Sequence, residues 1–167
     1  TYSLDVLPQE FPCRLTGDFR SPVLDLVNAD GSFGCDLRYQ GYEICDGKYN
    51  LKGLPAVYAA EEEAQTLIIY MKDQVTGLQV ELLYGVLPEY DVITRSAKVI
   101  NTEEDKIRLT KAQAACIDFL HGEFDVISFY GRHAMERNMQ RTSVGHGAFV
   151  IGSRRGTLSH HYNPMLI

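Results

Sequence analysis

Apolar side chains occupy every second position from Leu78 to Val86, through Val80, Leu82 and Tyr84. A period of two places them on one face of an extended strand, with the intervening residues facing away. Such a face needs a second apolar layer to cover it, which directs the chain toward packed sheets. Upstream, residues 64–72 form another apolar run, and Asp73-Gln-Val-Thr-Gly77 between the two carries turn residues, so the pair predicts a hairpin. Alternation continues over 90–100 through Val92, Thr94 and Ser96. Further strands are expected at 22–27, 37–45, 125–130, 138–144 and 148–151. Residues 106–120 resume with Ile107, Leu109, Ala114, Cys116 and Asp118; the alanines at 112, 114 and 115 favour helix over 109–119, but strand is the expectation. Turn signals such as Ala29-Asp-Gly31 and Asp46-Gly47 recur about every ten residues, the rhythm of an antiparallel sandwich. The fold class expected is all-β: one antiparallel β-sandwich domain spanning 1–167, without repeat or linker.

The 167 residues are 45% hydrophobic and 23% charged, enough to bury one substantial core. Lys and Arg total 16 against 22 acidic residues, a net charge of −6. That balance gives no global attraction to nucleic acid or anionic membrane, so neither is an expected partner. No run of apolar residues is long enough for a transmembrane helix, and no basic segment leads into an apolar stretch as a signal peptide would. Cys13, Cys35, Cys45 and Cys116 match neither a metal knuckle nor a disulfide framework, and read as four thiols in a reducing compartment. A Cys35–Cys45 bridge rests on spacing alone.

Several residues carry candidate chemistry. Asp18, Asp36, Asp118, Asp125 and Glu136 are carboxylates, but no spacing selects two of them as a catalytic pair, so no catalytic residue is assigned. No Gly-x-Ser-x-Gly elbow surrounds Ser153 or Ser159. His160 and His161 are adjacent, and on a strand would point to opposite faces, which disfavours a shared metal; no metal or organic cofactor is expected. Asp18, Phe19 and Arg20 supply a carboxylate, an aromatic face and a guanidinium on a Gly/Pro-bounded segment, the groups a sugar ring requires. An Asp18–Arg20 staple within the loop is the structural alternative. Arg132, Arg137, Arg154 and Arg155 offer long donors beside turn-forming glycines, and with His160 and Asn163 they suit a seam between domains. Pro164-Met-Leu-Ile167 then reads as the approach to a further strand, and an apolar end of this kind suggests a chain cut from something longer.

Five ordered stretches resemble the N-terminal β-supersandwich domain of the family 36 α-galactosidases: Gly17-Asp-Phe-Arg-Ser-Pro22; Lys48 with Lys52-Gly-Leu-Pro-Ala-Val-Tyr58; Tyr90-Asp-Val-Ile-Thr-Arg-Ser96; Tyr130-Gly-Arg-His-Ala-Met-Glu-Arg137; and Gly152-Ser-Arg-Arg-Gly-Thr-Leu-Ser-His-His-Tyr-Asn-Pro164. One departure is His133, where that family carries Trp. The resemblance implies a sandwich truncated at both ends, within a bacterial, cytoplasmic enzyme. In that enzyme a (β/α)8 catalytic domain of the same polypeptide carries two aspartates and hydrolyses α-galactoside oligosaccharides such as melibiose, raffinose and stachyose with retention. It further implies a homo-oligomer in which Asp18, Phe19 and Arg20 border a galactoside pocket, that of a neighbouring subunit included. The chain by itself is then inactive, a scaffold for the barrel. A stand-alone carbohydrate-binding module and a purely structural oligomerisation domain are the alternatives: the first binds sugar unaided, the second assembles unaided.

Overall fold

A computed structural model describes residues 7–14, 19–53, 56–152 and 162–167, with backbone alone at 163–165. The regular secondary structure of the described residues is almost wholly antiparallel strand, in two compact units, 1–118 and 119–167.

The first unit contains a four-stranded sheet in the order β2 (Leu37–Asp46), β3 (Gln65–Asp73), β4 (Gln79–Leu87), β5 (Val92–Ile100). β1 (Leu24–Val27) pairs with β6 (Arg108–Ala112) in a second, two-stranded layer. As far as Leu82 the alternation that marks β4 is the alternation that buries it. Beyond Leu82 the buried positions are Leu83, Gly85 and Leu87, while Val86, expected on the buried face, is exposed. Val80 and Leu82 pair on one side with Met71 and Ile69 of β3 and on the other with Val99 and Ala97 of β5. Leu24 and Leu26 of β1 close over this face, and Phe11, Val23, Cys35 and Leu78 complete the core. Two apolar sheet faces thus meet as the alternation requires.

The turn between β3 and β4 is built on Asp73. Its Oδ1 accepts from the backbone N–H groups of Val75 at 2.8 Å and Thr76 at 3.2 Å, and its Oδ2 from Asp36 N–H at 2.9 Å. Gly77 ends the turn at φ 74°, a left-handed conformation that glycine enters without a Cβ penalty. At the far end of the hairpin Thr66 is buried, donating from its hydroxyl to Gly47 C=O at 2.8 Å and accepting from Tyr49 N–H at 2.9 Å.

The second unit is a three-stranded sheet, β8 (Met135–Ser143), β7 (Asp125–Arg132), β9 (Tyr162–Leu166), with β7 central. Arg132 pairs with Met135, so His133 and Ala134 form a two-residue turn, Ala134 at φ 64°. A side chain at Gly131 would stand 2.1 Å from the Met135 carbonyl oxygen, which explains glycine at the bulge beside this turn. At the open end of the hairpin Asp125 accepts from Arg141 Nε at 2.6 Å and from Ser143 Oγ at 2.7 Å. Those bonds, Ser143's first, hold its carboxyl below the usual carboxylate range.

Several expectations change in detail. Residues 106–120 are neither a long strand nor a helix: only Arg108–Ala112 pairs, and an irregular segment follows. No strand forms at 148–151. The end of the chain does not merely approach a strand, because residues 162–166 are one, antiparallel to β7 through Tyr130↔Tyr162 and Ser128↔Leu166. Pro164 is accommodated there because β9, among the described residues, is an outer strand, paired on one side only. All four cysteines are free, and no Cys35–Cys45 bridge exists.

Candidate sugar-facing and docking segments

Asp18 lies outside the described residues, so the staple with Arg20 does too. Arg20 bonds a distant partner: its Nη1 lies 2.8 Å from Asp118 Oδ2, which also accepts from Gln9 N–H at 3.2 Å. Ser21 is held from the other side by Lys111 Nζ, which donates to its hydroxyl at 2.8 Å. Phe19, next to these two anchored residues, keeps 87% of its surface in solvent. A bare aromatic ring beside anchored polar residues is a suitable face for the apolar side of a sugar.

Arg132 and Arg137 both lie on the β7–β8 hairpin and are exposed. Arg132 donates from Nη2 and Nε to the Met135 sulfur at 3.2 and 3.4 Å, while Arg137 occupies a left-handed backbone position at φ 60°. Asn163 follows Tyr162, the residue of β9 that pairs with Tyr130, so it belongs to the strand flanking the same hairpin. Arg154, Arg155 and His160 lie outside the described residues. His133 is exposed at the hairpin tip, 4.0 Å from Glu136 Oε1.

The four candidate carboxylates among the described residues are all engaged in structural contacts. Asp36 accepts from Arg38 Nε at 2.8 Å, Asp118 binds Arg20, Asp125 closes its hairpin, and Glu136 accepts from Ala134 N–H at 2.8 Å. A cleft of about 750 Å³ that the sequence did not announce lies at the β3–β4 turn, lined by Asp30, Asp36, Asp73, Glu103 and Asp105 with a single lysine, Lys72. Its acids are turn groups as well: Asp30 accepts from Ser32 N–H at 2.9 Å, and contacts with Ser32 hold its carboxyl below the ordinary value.

Two other distinctive stretches also have a structural basis. Lys48 Nζ stands 4.2 Å above the Tyr49 ring and donates to Tyr49 C=O at 3.0 Å. Arg95 stacks on Tyr84 with its guanidinium carbon 4.8 Å from the ring centre. Its Nη1 lies 2.6 Å from Glu10 Oε1, and its Nη2 donates to the Glu10 carbonyl at 3.0 Å. The Tyr84 hydroxyl donates to the same carboxylate, and burial followed by that bond pushes the phenol well above its usual value. This cluster ties the segment around Glu10 across β4 and β5.

The architecture is that of an antiparallel β-sandwich module. Residues 1–167 match the Glycosyl hydrolase family 36 N-terminal domain, and the chain belongs to that family. It is 57% identical over 167 residues to the bifunctional alpha-galactosidase/sucrose kinase AgaSK of Mediterraneibacter gnavus, covering 100% of this chain and 18% of that protein. It is 41% identical to the alpha-galactosidase Mel36A of Lactobacillus acidophilus, covering 99% of this chain and 23% of that one. Among solved structures, the galactosidase domain of AgaSK superposes with a TM-score of 0.94 over 99% of this chain and 23% of that chain. The alpha-galactosidase AgaA of Geobacillus stearothermophilus, 38% identical, also gives 0.94, with 99% and 23% covered. The chain thus spans about a fifth of the length of the relatives it matches.

Proposed function

We propose that this chain is the non-catalytic N-terminal domain of a retaining α-galactosidase that releases terminal α-galactosyl residues from melibiose, raffinose and related oligosaccharides. The observation that carries the assignment is likeness along the whole chain to proteins named as alpha-galactosidases, one of them, AgaA, also solved as a variant in complex with raffinose. The catalytic carboxylates belong to a (β/α)8 barrel elsewhere in the polypeptide. The domain scaffolds that barrel, takes part in a homo-oligomer, and borders the galactoside pocket with Phe19, Arg20 and Asp18. The β7–β8 hairpin with Arg132 and Arg137, together with Arg154, Arg155, His160 and Asn163, forms the docking seam. Four free thiols support a reducing, cytoplasmic setting in a bacterium. No helix among the described residues is long and apolar enough to cross a membrane.

The bare ring of Phe19 supports the pocket role most directly. Phe19→Ala and Asp18→Ala in the intact enzyme are expected to raise KM for raffinose about three- to tenfold, a stacking or hydrogen-bond contribution of about 1 kcal/mol, with kcat nearly unchanged. Loss of uniform binding has that signature. An unchanged KM for raffinose in both variants removes the pocket role from this loop, and leaves the scaffold assignment standing.

A further inference from the structure

Two of the four thiols meet at the core of the first unit. Cys35 is 3% exposed and belongs to the buried cluster that holds Leu24, Leu26 and Val80; Cys13, partly buried, packs against the same cluster. Backbone contacts bring them there. The N–H of Cys35 donates to the carbonyl of Arg14, the residue after Cys13, at 3.1 Å, and Cys13 itself bridges to Leu24. The two thiols lie within hydrogen-bonding reach of each other, and Cys13 Sγ donates to the Phe11 carbonyl at 3.5 Å. Cys45 and Cys116 are turned to carboxylates instead: Cys45 Sγ donates to Glu43 Oε1 at 3.5 Å, and Cys116 Sγ to Asp118 Oδ1 at 3.6 Å.

The surroundings hold this pair in place. Phe11 is 5% exposed in the core on one side of Cys13. On the other, Arg14 pairs with Asp25 at 2.7 Å, its guanidinium carbon 5.1 Å from the Phe33 ring centre. Backbones joined by a hydrogen bond run about 5 Å apart, inside the Cα separation of about 4.4–6.8 Å that a disulfide spans. Two thiols so placed can be joined with little movement of either segment. Cys13 is the one that a reagent in solution reaches first, because Cys35 is enclosed.

We propose that Cys13 and Cys35 are a redox pair, open in this structure, that closes to a disulfide when a low-molecular-weight disulfide such as oxidised glutathione is present. The bond locks the segment around Cys13 to the segment entering β2, in a ring of about 20 residues that carries Phe19. The Cys13 thiolate attacks one sulfur of the oxidant, forming a mixed disulfide and releasing one small thiolate. The Cys35 thiolate then attacks the Cys13 sulfur and expels the second. Two protein thiols are oxidised and one small disulfide is reduced, the two protons passing to the released thiolates. In the open form the hydrogen bond with Cys13, followed by burial, pushes the Cys35 thiol far above its usual value. Capping Cys13 removes the first of these causes, so Cys35 gains reactivity only after Cys13 has been attacked. The pair depends on the packing of the first unit and needs none of the sugar chemistry.

The test is incubation of the folded 167-residue chain with oxidised glutathione, then alkylation of the remaining thiols and peptide mapping by mass spectrometry without reductant. Circular dichroism confirms that the chain stays folded throughout. The expected product retains two of its four thiols, Cys45 and Cys116, and carries a Cys13–Cys35 linkage. It melts about 5–10 °C higher than the reduced chain, and dithiothreitol reverses the shift. C45S/C116S, which leaves the pair intact, is expected to form the same bond with the same shift, whereas C35S stops at glutathione on Cys13. A folded chain that keeps all four thiols, links other cysteines, or holds glutathione on Cys13 while Cys35 remains open to alkylation overturns the pair. A linked chain that melts no higher overturns the lock.

Discussion

Leu82→Ala is expected to lower the stability of the first unit by about 3 to 4 kcal/mol, in the upper part of the range for a fully enclosed leucine. Leu82 is 1% exposed and central in the packed layer: Ile69 and Ala97 flank it across the sheet, and Leu24 and Leu26 belong to the same core from the covering layer. The sheet backbone is paired on both sides of β4, so it cannot collapse into the space a truncated side chain leaves, and a cavity adds to the lost transfer energy. Urea unfolding followed by far-UV circular dichroism reads the change as a lowered midpoint at constant m. Against a typical domain stability of about 5–15 kcal/mol, such a loss removes a large share. A loss below about 1 kcal/mol would show that the two layers are not closely packed at this point.

Asp73→Ala comes close to it in size, with an expected loss of about 3 kcal/mol, because three backbone N–H groups lose a charged acceptor at once and the site is enclosed. Asp73 is 2% exposed and bonds Asp36, Val75 and Thr76. It therefore joins the β3–β4 turn to the segment entering β2, and its removal loosens both. Asp73→Asn keeps one acceptor oxygen and is expected to lose about half as much. Hydrogen exchange separates this effect from a general loss of stability: the amides of Val75, Thr76 and Asp36 should exchange faster in Asp73→Ala than the amides of β4. Uniform acceleration across the sheet would mean that the carboxylate contributes nothing local.

What could be read from the sequence follows from where burial imposed a pattern. β4 is flanked on both sides and buries one face as far as Leu82, where its period of two is legible; the change of parity to Leu83, Gly85 and Leu87 is hidden in an apolar run. Gly77 and Asp73 mark its turn because a left-handed residue and a carboxylate cap are chemically specific. β8, Met-Glu-Arg-Asn-Met-Gln-Arg-Thr-Ser, is exposed over nearly its whole length and carries no alternation, so its first three residues went unread. β9 was hidden by Pro164, which an outer strand tolerates. The alanine-rich stretch after β6 has the composition of a helix but lies outside any regular element, since local propensity yields to the rest of the fold. The candidate loop was legible in its residue types and not in its partners: Asp118, which holds Arg20, is 98 positions away. No local spacing announces a pair of that kind.

The central claim is that this chain supports α-galactoside hydrolysis without performing it. It is tested most directly by galactose release from raffinose, measured for the 167-residue chain and for the polypeptide that continues it through a catalytic barrel. The account predicts no release above the uncatalysed rate from the chain alone. It predicts turnover from the longer polypeptide, with the first-formed sugar being α-galactose, as retention requires. Release by the chain alone, or a longer polypeptide that leaves α-galactosides intact, would contradict it.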